Sequence, residues 1–156
     1  MQQLLNDLKS KNWRLASCES VTGGDFASLI TDLSGASEVY IGGYIVYSDI
    51  SKQLLTFVNE EMLRKHGAVS PEVVRSMAIW TKDYLKSDIA IAFSGNAGPG
   101  ASSDQPVGRV FTAIALNQEC FVYQDDFSGS RKEIKKQIVD SGIQRLSKLI
   151  QKENMR

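Results

Sequence analysis

A chain of 156 residues, 42% hydrophobic and 23% charged, has the bulk of one domain, since domains cluster near about 100–150 residues. Eighteen basic side chains balance eighteen acidic ones. No excess of positive charge therefore draws nucleic acid or an anionic membrane as a main partner, though a small basic site for one anion remains compatible with neutrality. One histidine and two cysteines, Cys18 and Cys120, exclude a disulfide framework and the common zinc patterns, so no metal or cofactor is expected.

The start, MQQLLNDLKSKNW, lacks the apolar core of a signal peptide, and no apolar run approaches the ~20 residues of a bilayer span. The expected location is the cytoplasm. Leu4, Leu5 and Leu8 predict a short amphipathic helix within residues 1–11. Residues 14–18 are a predicted strand. Residues 23–33 are a predicted helix with Phe26, Leu29, Ile30 and Leu33 on one face. Between them lies the turn Glu19-Ser20-Val21-Thr22-Gly23-Gly24.

Residues 39–47 (VYIGGYIVY) are rich in β-branched and aromatic side chains and predict a strand. The pair Gly42-Gly43 inside it predicts a bulge or a close backbone approach. A helix follows around Lys52. Ser70-Pro71 supplies an N-cap hydroxyl and a proline at the first helical position, opening a helix that runs towards Leu85. Residues 88–93 are a buried strand feeding the loop SGNAGPGASSDQPVG. Residues 107–116 and 120–127 pair as strands about a turn at Asn117-Gln118, and a last helix runs from Ser130 to about Lys152. Helices before, between and after strands predict an α/β fold, a three-layer α/β/α sandwich whose late hairpin makes the sheet mixed.

Ser20 stands where a strand feeds a helix, so its hydroxyl is a candidate nucleophile or simply a helix cap. His66, beside Gly67, reads as a loop residue rather than a base. A lysine serves as base when burial or neighbouring positive charge lowers its pKa, and Lys52, five residues beyond Tyr47, is a candidate; a solvated surface charge is the plain alternative. The loop around Gly95-Asn96-Ala97-Gly98 leaves the carboxyl end of a strand, where open α/β sheets bind ligands, although it matches neither a P-loop nor a dinucleotide fingerprint. Ser128-Gly129-Ser130-Arg131 opens the last helix with hydroxyls, a glycine and an arginine, a set suited to phosphate or to capping alone. Cys18 reads as a small strand residue.

Six segments in order carry a resemblance: Glu19-Ser20-x-Thr22-Gly23-Gly24, Tyr47-Ser48 with Lys52, His66-Gly67-Ala68-Val69-Ser70, Ser94-Gly95-x-Ala97-Gly98-Pro99, Pro106-Val107-Gly108 and Phe127-Ser128-Gly129-x-Arg131. Together they resemble the C-terminal domain of the CinA family, here as a stand-alone domain of the PncC-like, nicotinamide-nucleotide amidohydrolase type. The resemblance implies hydrolysis of the carboxamide of nicotinamide mononucleotide without a metal. It implies Ser20 as nucleophile, Lys52 as general base and Tyr47 as a hydrogen-bonding partner. It also implies substrate contacts from Thr22, Gly23, Gly24, Gly95, Asn96 and Gly98, with Arg131 on the phosphate, and a homodimer or larger homo-oligomer. The chain departs from the family's pattern at Val21, Asp49, Asn96 and Ser130. A catalytically silent homologue that binds a nucleotide or a protein partner is the alternative, and a phosphotransferase lacks its P-loop lysine.

Overall fold

The computed structural model describes residues 2–100 and 104–153. Among these, the strands are β1 (Leu15–Glu19), β2 (Tyr40–Ile45), β3 (Ile89–Gly95), β4 (Arg109–Leu116) and β5 (Glu119–Asp126). The α-helices are α1 (Gln2–Ser10), α2 (Asp25–Thr31), α3 (Asp49–Leu55), α4 (Glu60–His66), α5 (Pro71–Tyr84) and α6 (Arg131–Glu153). The strands form one sheet in the order β2-β1-β3-β4-β5. β1 runs parallel to both β2 and β3, while β4 is antiparallel to β3 and to β5. The α/β class and the mixed sheet are as the sequence predicts.

Alternation along the strands divides the apolar residues between two faces. Ile89, Ile91 and Phe93 of β3 and Val110 and Ile114 of β4 meet α1, α2 and α6 through Leu4, Leu8, Phe26, Ile30, Ile134 and Leu146. The opposite face carries the smaller Ala92, Ala113 and Ala115 against Val73, Val74 and Met77 of α5. At Gly142 of α6 an added Cβ would lie 2.7 Å from the Phe93 ring, so the helix crosses the sheet at a separation set by the missing side chain.

The glycine pair of β2 produces both predicted features. The register shifts by one residue between Leu15–Tyr40 and Ala16–Gly42, which leaves Ile41 as the bulge. A Cβ on Gly43 would run into the Ser17 carbonyl. Helix α4 was not anticipated: none of its residues is buried, so no apolar stripe marks it. Its signals are Asn59, whose side chain accepts from the Met62 N–H at 2.8 Å, and basic residues in the last turn, Arg64, Lys65 and His66. His66 therefore closes a helix instead of lying in a loop.

The connection from β1 to β2 carries α2 on the α6 face, whereas the connection from β2 to β3 carries α5 on the other. The carboxyl ends of the three parallel strands consequently open a crevice where the connections diverge. β4 begins, β5 ends and α6 begins at the same end of the sheet.

Candidate active site

The turn after β1 is built around Glu19. Its buried carboxylate accepts the N–H groups of Gly24 (3.0 Å), Phe26 (3.1 Å) and Ala27 (2.9 Å), so a strand residue caps the start of α2 where the N-cap, Gly24, has no side chain. Ser20 is thereby released from the capping role that its position suggested. Its own N–H donates to the Phe93 carbonyl at 3.0 Å, which continues the β1–β3 pairing by one residue. The residue is 8% exposed and lines a cavity of about 290 Å³ at the carboxyl end of the sheet. Among the described residues its hydroxyl makes no hydrogen bond.

Lys52 is delivered to the same cavity by α3. Ser48 caps that helix by accepting from the Ser51 N–H, and Ser51 returns the bond to the Ser48 N–H. The lysine side chain is 3% exposed, and burial pushes its pKa down; the neighbouring Asp49 carboxylate, with Oδ1 3.6 Å from Nζ, works in the opposite direction. No hydrogen bond joins Lys52 Nζ to Ser20 Oγ among the described residues. Cys18, one strand position behind the turn, has its thiol pushed up to about 12 by burial and stays neutral.

Tyr47 and Arg131 form the outer wall. Arg131, the first residue of α6, donates from Nη2 to the Tyr47 hydroxyl at 2.7 Å and from Nη1 to the Gly98 carbonyl at 2.6 Å. Ser130 is occupied with the helix start, its hydroxyl donating to Glu133 Oε2 at 2.7 Å. Asn96 fixes the loop: its N–H donates to the Arg109 carbonyl, its Nδ2 to the Gln105 carbonyl, and its own carbonyl accepts from Gly108. Ser94 ties this strand end to the segment before α5 by donating to the Ala68 carbonyl at 2.7 Å.

Of the residues singled out in the sequence, Ser20, Tyr47, Lys52, Gly95, Asn96, Gly98 and Arg131 line the one cavity. Thr22, Gly23 and Gly24 do not. The Gly23 N–H is taken by the Ser20 carbonyl and the Gly24 N–H by Glu19, so neither glycine can donate to a developing oxyanion. Val21 and Ala97 line the cavity instead, and their N–H groups have no acceptor among the described residues. Asp49, which the sequence marked only as a departure from the family's pattern, lines the cavity as well; an acid three residues before a helical lysine shares its face. His66 lies elsewhere, with Nδ1 3.4 Å from Glu72. Residues 101–103 of the Gly-rich loop fall outside the described residues.

Compared with known proteins, the chain matches a model of the CinA C-terminal domain over residues 1–150. It belongs to the CinA C-terminal domain family. A Bacillus cereus protein named for competence and damage induction is 41% identical over 145 residues, covering 92% of this chain and 35% of the relative. A Bacillus pumilus protein of the same name is 38% identical over 143 residues, covering 92% and 34%. This CinA domain thus spans about a third of the length of these relatives. Among solved structures, a competence or damage-inducible protein from Enterobacter asburiae superposes with a TM-score of 0.92 at 30% identity, covering 96% of this chain and 94% of its own. A CinA-superfamily protein from Klebsiella pneumoniae gives 0.91 at 30%, covering 95% and 93%. Among the described residues of this CinA domain, no helix is long and apolar enough to cross a membrane.

Proposed function

We propose that this CinA domain is an amidohydrolase that converts nicotinamide mononucleotide to nicotinic acid mononucleotide and ammonia. One observation carries the reading: an unbonded serine hydroxyl and a buried lysine line the same cavity as an arginine at a helix N-terminus. Neutral Lys52 takes the proton of Ser20 as Oγ bonds to the carboxamide carbon. The Val21 and Ala97 N–H groups meet the oxyanion. The carbon–nitrogen bond then breaks, and Lys52 returns the proton to the nitrogen, which leaves as ammonia. Water, giving a proton to Lys52, attacks the serine ester and releases the acid, and Ser20 recovers its proton. Arg131 keeps N–H groups for the phosphate while Tyr47 and Gly98 hold its plane.

The test is ammonia release from purified protein and nicotinamide mononucleotide. Ser20→Ala is expected to lower the rate by about 10³-fold or more while nucleotide binding persists. Undiminished release in Ser20→Ala would end the proposal. A binding-only role is the second reading, favoured by the missing Ser20–Lys52 hydrogen bond and by the pairing of Lys52 with Asp49. Saturable binding of the nucleotide to wild type without ammonia would support it.

Association of two copies belongs to the same proposal. Strand β2 is a sheet edge, and Ile45, Tyr47, Ile50, Leu54 and Phe57, on and after it, are all more than half exposed. An open edge continued by an apolar run suits a second copy of the same surface.

A further inference from the structure

We propose that Asp49 is a positioning residue for Lys52, holding its amine at the cavity wall and setting the pH at which that amine is free to accept a proton. The catalytic consequence rests on the amidohydrolase reading; the pairing of the two side chains does not.

Asp49 and Lys52 are three residues apart on α3, so they share a face, and both line the cavity beside Ser20. Their charged atoms stand 3.6 Å apart, close enough for mutual attraction yet outside a tight hydrogen bond, so the amine keeps its freedom to turn towards the serine. Among the described residues the other groups around Lys52 offer no competing anion, and the Tyr47 phenol is held by Arg131. Cys18, from β1, is a neutral thiol. Glu19, also from β1, has its carboxylate committed to three N–H groups of α2. Arg131, from α6, is a cation directed at Tyr47 and Gly98. Ala68 and Val69, before α5, are uncharged.

Two influences therefore oppose one another at one nitrogen. Burial favours the neutral amine that acts as base, and the Asp49 carboxylate favours the ammonium that the reaction creates and then returns to the leaving nitrogen. Asp49 is 60% exposed, which damps its influence without cancelling it. A serine–lysine pair with burial alone would be available at lower pH but would stabilise its own protonated form less well.

The experiment is trace acetylation of the native protein with acetic anhydride across neutral to alkaline pH, with the Lys52 peptide quantified by mass spectrometry. Wild type, Asp49→Asn and Asp49→Glu are compared, together with the pH profile of ammonia release. In Asp49→Asn the Lys52 labelling curve should move to lower pH, raising Lys52 reactivity near neutrality roughly two- to fivefold. Asp49→Glu should move it back towards wild type, and the other lysines should not change. The acid limb of ammonia release should shift in the same direction. An unmoved Lys52 curve in Asp49→Asn overturns the proposal whatever the activity does. A shifted curve with no ammonia from any of the three proteins upholds the pairing and removes the amidohydrolase reading.

Discussion

Three N–H groups at the start of α2 converge on the carboxylate of Glu19, and without that acceptor they would face a buried helix end with nothing to bond. Glu19→Ala is expected to lower stability by about 2–4 kcal/mol, and Glu19→Gln by less, because a neutral oxygen still accepts; urea unfolding would measure both. Lys52 presents the opposite case, a buried amine whose charging is opposed by its burial. Because its folded pKa is lowered, the unfolded chain binds the proton more tightly. Wild-type stability should therefore rise as pH climbs from that lowered value towards the ordinary lysine range. Lys52→Met should lack this rise, match or exceed wild type at neutral pH by about 1 kcal/mol, and release no ammonia. Unfolding at neutral and alkaline pH, beside the ammonia assay, would check all three.

At the scale of elements, the fit of β2 against β1 depends on Gly43, where any side chain would meet the Ser17 backbone. Gly43→Ala should cost about 3 kcal/mol or more, since backbone rather than a flexible side chain must move; denaturant unfolding would show it as a lowered midpoint. The sequence announced this contact because glycine pairs are anomalous among β-branched and aromatic residues. It announced α5 equally well through Ser70, whose hydroxyl accepts from the Val73 N–H at 3.3 Å. It was silent on α4, since a helix with no buried residue leaves no periodic apolar trace. The predicted helix over residues 23–33 is shorter, Asp25–Thr31; it starts late because Gly23 and Gly24 hold positive φ angles of 62° and 105° in the turn itself.

At the scale of the molecule, the exposed apolar run after β2 predicts self-association. Light scattering should find more than one copy per particle, and Leu54→Lys should shift the distribution towards monomer. Leu54 is 77% exposed, so this change should leave the stability of the single chain within about 0.5 kcal/mol. Local chemistry in the sequence determined the strands, the capped helices and the mixed sheet, because spacing, caps and glycines act over a few positions; seven of the residues that line the cavity were named beforehand, the roles of Ser20, Tyr47, Lys52 and Arg131 through the family resemblance. Tertiary structure decided which N–H groups remain free. It withdrew Gly23 and Gly24 by bonding them inside the turn and left Val21 and Ala97 facing the cavity. It transferred the cap of α2 from Ser20 to Glu19, and it buried Lys52 beside Asp49. Those outcomes depend on where a hydrogen bond ends and how much water a charge retains, and both are fixed only when distant segments meet.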